Sequence, residues 1–314
     1  VPEAAISARG VARRFGSFEA VRGFDLEVAA GEVSGLLGAN GAGKTTAIRM
    51  LCGTLAPSAG AITVAGVDML RQARRARSRI GYVTQRFTLY GELTVRENLQ
   101  LQGGLYSVPR ELLRERIGAA LERFELADAR DERAAGVPLG YQRRLAVAAA
   151  LLHQPAVLFL DEPTSGIDPL ARQQLWELVY ELAAGGMGVL VTTHYLDEAL
   201  FCDRLALMDR GRIIARGTPD ELLARPLAAP PLEVRAADQA RCGAWLAARA
   251  EVREVLPRAG RHRVRLRPGI EPRAWAARAT EAARAEGLAL AIDPAPPREL
   301  EDVFVAVLEQ EAPA

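Results

Sequence analysis

Lysine is almost missing from this chain. Of forty Lys and Arg residues all but one are arginine, and Lys44 alone keeps the compact ammonium. Other shortages narrow the field before any motif is considered. The three cysteines, Cys52, Cys202 and Cys242, lie far apart without metal-ligand spacing, which suits a reducing cytosol. A formal net charge of +1 gives no reason to expect nucleic acid as the main partner. The opening VPEAAISARGVARRFG lacks the apolar core of a secretion signal. Long apolar runs are missing too. The best candidate, LAVAAALLHQPAVLFL (145–160), is cut by His153, Gln154 and Pro155 and falls short of the roughly 20 residues of a membrane span. The expectation is a chain soluble by itself. At 314 residues and 49% apolar, it suits two domains that can each bury a core.

The first thirty residues read as short strands with turns at Arg22-Gly23 and Ala30-Gly31. VSGLL (33–37) is a buried-strand candidate running into a glycine-rich loop, and KTTAIRML is a helix beyond it. Further strands are expected at 61–64 and 80–84. From about residue 94 to 152 the apolar spacing turns helical. AVLFL (156–160) and GVLVTT (188–193) are continuous apolar strands on either side of the helix ARQQLWELVYELAA, and 204–208 with 211–215 reads as a hairpin. Alternating buried strands and helices imply an α/β core with a parallel sheet, into which the helical stretch is inserted. PDELLARPLAAPP (219–231) reads as a short helix and a stiff linker. Strands at 232–236, 252–258, 261–268 and 288–293, with helices at 238–250 and 272–286, give the ferredoxin-like order β-α-β-β-α-β. LEDVFVAVLEQ adds a last helix. The expected domains are therefore 1–225, with its helical part at about 86–152, a linker at 226–231, and a C-terminal α+β domain at 232–314.

GANGAGKT (38–45) fits G-x-x-x-x-G-K-[ST] between a strand and a helix, as a phosphate-binding loop requires. Gly38, Gly41 and Gly43 let backbone N–H groups turn inward onto phosphate oxygens. The helix beginning near Lys44 points its positive end at the same oxygens. Lys44 would place a mobile ammonium between the β- and γ-phosphates, where arginine's wide planar fork does not fit. Asn40, Ala42 and Thr46 complete the expected nucleotide contacts, and Thr45 offers a hydroxyl to Mg²⁺. In AVLFLDEP (156–163) a strand ends in two carboxylates. Asp161 would hold Mg²⁺, through water because that ion sheds its hydration reluctantly. Glu162 would polarise the attacking water.

With these motifs in place, residues 3 to 225 resemble the ATP-binding cassette of ABC transporters. The resemblance implies a P-loop NTPase core with an N-terminal antiparallel β subdomain and an inserted helical subdomain. It also implies roles for further residues. Gln85, after RIGYVT, looks like the Q-loop glutamine that reaches Mg²⁺ and water; a polar strand end is the plainer reading. Ser165 to Asp168 look like the D-loop that crosses a dimer interface. His194, after GVLVTT, looks like the switch histidine at the γ-phosphate, against a satisfied structural histidine. Phe15 sits where the family stacks a tyrosine on adenine, and phenylalanine keeps that π-face; plain core is the alternative.

One element departs from the pattern. The family's Leu-Ser-Gly-Gly-Gln signature, which meets ATP held by the other subunit, falls on Val137, Pro138, Leu139, Gly140 and Tyr141. Pro138 brings neither hydroxyl nor N–H, and Leu139 adds bulk. Either the site closes weakly, or it works through Gly140, Tyr141 and the helix end; a Pro-Leu-Gly form resembles a branch of drug-exporter ATPases. Two arginine groups stand outside the motifs, at 71–79 and at Arg261, Arg263, Arg265 and Arg267, which share one strand face. A solvated face is the expectation for both, with phosphate binding as the alternative for the first and anionic lipid or an acidic partner for the second.

The resemblance implies an ATPase subunit using ATP and Mg²⁺ and forming a homodimer or a heterodimer with another cassette. It would power separate transmembrane permease subunits from the cytoplasmic face of the membrane, with no nucleic acid partner. Export of drugs or other amphipathic cargo is the first expectation. An importer ATPase, a non-transport cassette and a regulatory subunit of low turnover are the rivals.

Overall fold

Two long strands, rather than several short ones, begin the chain. β1 (Ala4–Phe15) and β2 (Phe18–Ala29) pair antiparallel and turn at Gly16-Ser17. The turn expected at Arg22-Gly23 is a bulge inside β2: Val11 faces Phe24 while Arg13 faces Val21, and Gly23 takes φ 61°. Glycine marks either feature, and only the partner strand tells them apart.

The structure is a computed structural model that describes residues 4–85, 87–227 and 230–311. Arg86 at the expected start of the helical insert, Ala228 and Ala229 of the expected linker, and the first three and last three residues of the expected domains lie outside the described residues. The chain divides into two compact units, Val1–Pro219 and Asp220–Ala314.

In the first unit, β3 (Val33–Leu37) and α1 (Lys44–Leu51) are followed by β4 (Ala59–Val64), β5 (Val67–Asp68), α2 (Ala73–Arg77) and β6 (Ile80–Val83). Three helices come next: α3 (Val95–Leu105), α4 (Arg110–Arg123) and α5 (Leu139–Leu151). The unit ends with β7 (Val157–Asp161), α6 (Pro169–Ala184), β8 (Gly188–Thr193), α7 (Leu196–Ala199), β9 (Arg204–Asp209) and β10 (Arg212–Gly217). An antiparallel sheet in the order β2-β1-β4-β5 accompanies a six-stranded sheet in the order β10-β9-β3-β8-β7-β6. The pairs β3–β8, β8–β7, β7–β6 and β3–β9 are parallel.

Every residue of β3, β7 and β8 is buried, as expected of parallel strands covered on both faces. Because β3, β6, β7 and β8 run the same way, their C-terminal ends share one edge. The glycine loop, Gln85, Asp161-Glu162 and His194 each follow one of these ends. In open α/β sheets that edge is where ligands bind. α3 begins with a capping box: Thr94 Oγ1 accepts from Glu97 N at 3.1 Å, and Glu97 Oε2 accepts from Thr94 N at 2.8 Å. Among the described residues no helix is long and apolar enough to cross a membrane.

The division falls at the first residue of α8 (Pro219–Leu223), and the second unit continues with β11 (Leu232–Arg235), α9 (Gln239–Ala247), β12 (Val252–Arg258), β13 (Arg261–Leu266), α10 (Pro272–Ala285), β14 (Ala291–Asp293) and α11 (Leu300–Glu311). The division falls ahead of the expected linker because the chain after α8 is tied into this unit. Arg298 Nη1 donates to the carbonyls of Leu223 at 3.1 Å and Arg225 at 2.8 Å. Four strands form an antiparallel sheet in the order β12-β13-β11-β14. Leu232, Val234, Val264 and Leu266 join Trp245 and Leu246 of α9 and Trp275 of α10 in the core.

The arginine face of β13 is solvated only at its ends, where Arg261 is half-buried and Arg267 exposed; its middle is covered. Arg263 is 2% exposed and Arg265 6%, and both reach Asp302 of α11. Period-2 alternation placed the arginines correctly on one face. The helix that covers that face comes from residues some forty positions later, which local pattern could not reveal. Anionic lipid is thereby excluded as a contact of Arg263 and Arg265.

Candidate functional site

The glycine loop is set by sterics at two positions and by conformation at a third. A Cβ on Gly38 would lie 2.3 Å from Met208 O, and one on Gly43 2.7 Å from Ala20 O. Gly41, at φ 84°, would meet nothing within 4 Å, so its need is the left-handed backbone alone. Gly43, at φ 108°, ends the loop at the N-cap of α1 with no side-chain cap. The first amides of a helix have no intrahelical acceptor, and here Lys44, Thr45 and Thr46 supply them.

Lys44 is 4% exposed. Its ammonium donates to the carbonyls of Gly38 at 2.8 Å and Ala39 at 3.3 Å, and lies 3.6 Å from Glu162 Oε1. Burial pushes its pKa below the ordinary lysine value, with the Glu162 carboxylate opposing that shift. An ammonium pressed in this way gains from any further negative charge brought beside it.

Glu162 is the centre of the arrangement. Its backbone is left-handed, at φ 49°, and its side chain is nearly buried. Gln85 Nε2 donates to Glu162 Oε2 at 2.8 Å, and His194 Nδ1 lies 3.2 Å from the same oxygen without the alignment of a hydrogen bond. A lysine from the first motif, a glutamine after β6 and a histidine after β8 thus meet one carboxylate after β7. Asp161, its neighbour, is 2% exposed and accepts from Thr192 Oγ1 at 2.6 Å.

Phe15 is the last residue of β1. It is 46% exposed, so it is not core, and the Arg13 guanidinium sits 4.6 Å over its ring. Asp168 turns out to be an N-cap: its Oδ1 accepts from the amides of Leu170 and Ala171, each at 3.0 Å, with Pro169 opening α6. Those amides hold its carboxyl below the usual range. Asp-Pro ahead of a helical pattern is a start signal that the sequence already carried. Ser165 N donates to Glu162 O at 3.2 Å, so the following loop hangs directly from the carboxylate residue.

The variant signature forms the start of α5. Pro138 occupies the cap position without a side-chain bond, Val137 is buried, and Leu139 is 40% exposed. Leu139 Cδ2 would lie 3.5 Å from a Cβ built on Gly166, and Ala171 Cβ 3.5 Å from one on Gly140. The start of α5 therefore packs on the segment 166–171 of its own chain, and Tyr141 receives Arg144 over its ring at 5.3 Å.

Three residues were missed by sequence reasoning. Arg143, 8% exposed, spans from Thr84 O to Ser165 O, each at 3.4 Å, and so links the segments ahead of Gln85 and after Glu162. Glu198, fully buried, accepts from Thr193 Oγ1 at 2.8 Å beneath the His194 loop, with Arg172 Nε 3.6 Å away. Thr192 is the third. An Arg beside the signature and an acid soon after the histidine were visible, but nothing in the sequence said they were buried.

Residues 21–165 match the family described as ABC transporter. Over 223 residues, 71% of this chain, the sequence is 44% identical to the probable multidrug ABC transporter ATP-binding protein YbhF of Escherichia coli; that match spans only 39% of the relative's length. It is 47% identical over 223 residues to the daunorubicin resistance ATP-binding protein DrrA3 of Streptomyces coeruleorubidus, covering 71% of each chain. A solved ATP-binding subunit of an ABC transporter superposes with a TM-score of 0.64 at 30% identity, over 69% of this chain and 91% of its own. By this likeness and by the P-loop fold that carries it, the chain belongs to the ABC transporter family, among its nucleotide-binding ATPase subunits.

Proposed function

We propose that this chain binds and hydrolyses ATP to power a membrane exporter, with two cassettes closing head to tail around two ATP molecules. The observation that carries this reading is the convergence of Lys44, Gln85 and His194 on Glu162, beside Asp161. A buried, left-handed carboxylate addressed by the first residue of α1 and by the segments after β6 and β8 is arranged for chemistry rather than for packing.

Lys44 and the amides of Gly38, Asn40, Gly41, Ala42, Gly43 and Thr46 hold the phosphates, and Phe15 offers its exposed ring to adenine. Glu162 takes the proton of the attacking water, while Gln85 and His194 hold its carboxylate in place. Thr45, Asp161 and Gln85 form an oxygen donor set of hydroxyl, carboxylate and carboxamide, which fits Mg²⁺. Among the described residues no group of three or more His, Cys, Asp or Glu could hold a metal alone, so such an ion would rely on phosphate and water for the rest. When bound, it neutralises phosphate charge.

Gly140, Tyr141 and the N-terminus of α5 act as the contact to ATP on the partner, in place of the serine of the usual signature. Asp168 contributes through the loop shape its capping imposes, with Ser165. The partners are separate transmembrane permeases and a second cassette of the same or another kind, and the chain works on the cytoplasmic face of the membrane. The multidrug and daunorubicin-resistance relatives support amphipathic cargo. The second unit, with strand order β12-β13-β11-β14, is assigned as a ferredoxin-like accessory domain.

Glu162→Gln keeps the shape and removes the base. ATP turnover should fall by about 10²–10⁴-fold, and the variant should elute as a dimer in ATP during sizing chromatography. A strict monomer under those conditions would count against head-to-tail closure.

A further inference from the structure

We propose that Thr192 is the positioning residue that sets both acidic groups at the end of β7. The proposal rests on the hydrolytic reading above and adds a residue to it. Thr192 lies in β8 directly beside Asp161 in the parallel ladder, and it is 0% exposed. Its hydroxyl makes two bonds of fixed direction. Oγ1 donates its proton to Asp161 Oδ1 at 2.6 Å and accepts the Glu162 N–H at 3.0 Å. The Glu162 amide also reaches Thr192 O at 3.1 Å, so it is shared between the hydroxyl and the strand ladder.

Three arguments make this more than a satisfied core threonine. The first is chemical. An ionised carboxylate can only accept, so the hydroxyl proton must point at Asp161, and the Glu162 N–H takes one of the two lone pairs on Oγ1. The order Glu162 N–H to Thr192 O–H to Asp161 is thus the only polarity available, and such chains strengthen bond by bond.

The second is conformational. Glu162 sits at φ 49°, where a non-glycine residue stays only if its surroundings hold it. The Thr192 hydroxyl grips the amide at the front of that residue. The left-handed turn is what aims the Glu162 side chain at Gln85, His194 and Lys44.

The third is compositional. The position follows an apolar run in a fully buried strand, where valine has the same shape and better strand propensity. A hydroxyl there is stable only because both bonds are made. The next residue shows that this specificity belongs to the face. Thr193, on the opposite side of β8, gives its hydroxyl to Glu198 and accepts from Tyr195 N at 3.0 Å, on the switch-loop side. Two consecutive threonines thus serve two different parts of the site.

The consequence is a division of labour. Nucleotide without metal is held by the glycine loop and Lys44, which Thr192 does not touch. Use of Mg²⁺ depends on the Asp161 orientation, and proton abstraction on the Glu162 turn; both run through one hydroxyl.

The test replaces Thr192 by Val, Ala and Ser. ATP hydrolysis is titrated with Mg²⁺, and binding of a fluorescent ATP analogue is measured in EDTA. In a Glu162→Gln background, the Mg²⁺ concentration needed for ATP-driven dimerisation is measured by sizing chromatography. Val and Ala should lower kcat by about 10²-fold and raise the Mg²⁺ requirement in both assays. Affinity in EDTA should be unchanged, and Ser, which keeps the hydroxyl, should restore all three readouts. The proposal is overturned if Val or Ala keeps the wild-type kcat and Mg²⁺ requirement. It is equally overturned if Ser fails to rescue, or if EDTA binding falls in parallel, since either marks a role in folding alone. Should Val fail to fold, Ala, which only deletes atoms, decides. A wild-type chain that binds ATP without hydrolysing it defeats the hydrolytic reading instead, and the Mg²⁺ arm still judges Thr192.

Discussion

Each unit of this chain buries a cluster of charges, and the two clusters are built on opposite plans. In the first unit, Glu162 is met by Lys44 at 3.6 Å, by His194 at 3.2 Å without hydrogen-bond alignment, and by one good bond from Gln85. Its partners come from the start of α1 and from the loops after β6 and β8, and its backbone is left-handed. In the second unit, Arg263 uses all five of its N–H donors. Nε meets Asp302 at 3.1 Å, and Nη1 meets Glu233 at 3.3 Å and Glu299 at 3.4 Å. Nη2 meets Pro297 O at 3.0 Å and the other oxygen of Asp302. One cluster is loosely matched and can exchange partners; the other is saturated. A charge group with work to do must be able to give up its contacts, and one that fastens a helix to a sheet must not. Arginine fits the second task through its rigid fork, and lysine the first through its compact head.

The largest effect separates the two in function. Lys44→Ala removes an ammonium that would make charge-assisted bonds to phosphate at about 1.5–3 kcal/mol each. ATP affinity should fall by about 10²-fold or more, by fluorescence titration. The folded state should survive, because the partners lost are two carbonyls of its own loop and one long ion pair. Tight ATP binding by Lys44→Ala would sink the phosphate-loop assignment and, with it, the contrast between the clusters.

This division explains what could be read from the sequence. The glycine loop and the Asp161-Glu162 pair were legible because each is contiguous and its chemistry is local. Gln85 and His194 could be placed because each directly follows a strand, and parallel strands bring such ends to one edge. Thr192 was not legible: within GVLVTT it reads as one more β-branched residue, and its hydroxyl acquires meaning only when β8 lies beside β7. The β13 arginines show the same limit from the other side. Their alternation was plain, yet burial depends on α11, and a charged strand face looks solvated until something covers it. Arg22-Gly23 was misread as a turn because a bulge and a turn use the same residue types.

The second prediction reverses the first. Arg263→Met leaves Asp302 and Glu233 buried without their main cation. Breaking a buried pair from one side costs about 3–5 kcal/mol, so the denaturant midpoint of the second unit should drop sharply. ATP affinity should stay roughly unchanged, since none of the Arg263 contacts belongs to the first unit. A variant that lost nucleotide binding together with stability would show that the clusters are not independent.

The smallest effect tests whether burial, rather than the mere presence of an ion pair, accounts for the difference. Arg261 shares β13 and the acid Glu233 with Arg263, its Nε lying 3.3 Å from Glu233 Oε1, yet its side chain is 38% exposed. A pair of that kind is screened by water and salt and is worth about 0–1 kcal/mol. Removing it also leaves Glu233 with both Arg263 and Arg235, the latter at 3.5 Å. Arg261→Ala should therefore shift the unfolding midpoint slightly, and the shift should shrink further in high salt. The loss from Arg263→Met should be nearly insensitive to salt, because ions do not reach a side chain that is 2% exposed. If the two variants cost the same, or respond to salt alike, the saturated cluster owes its strength to charge number rather than to burial and complete hydrogen bonding.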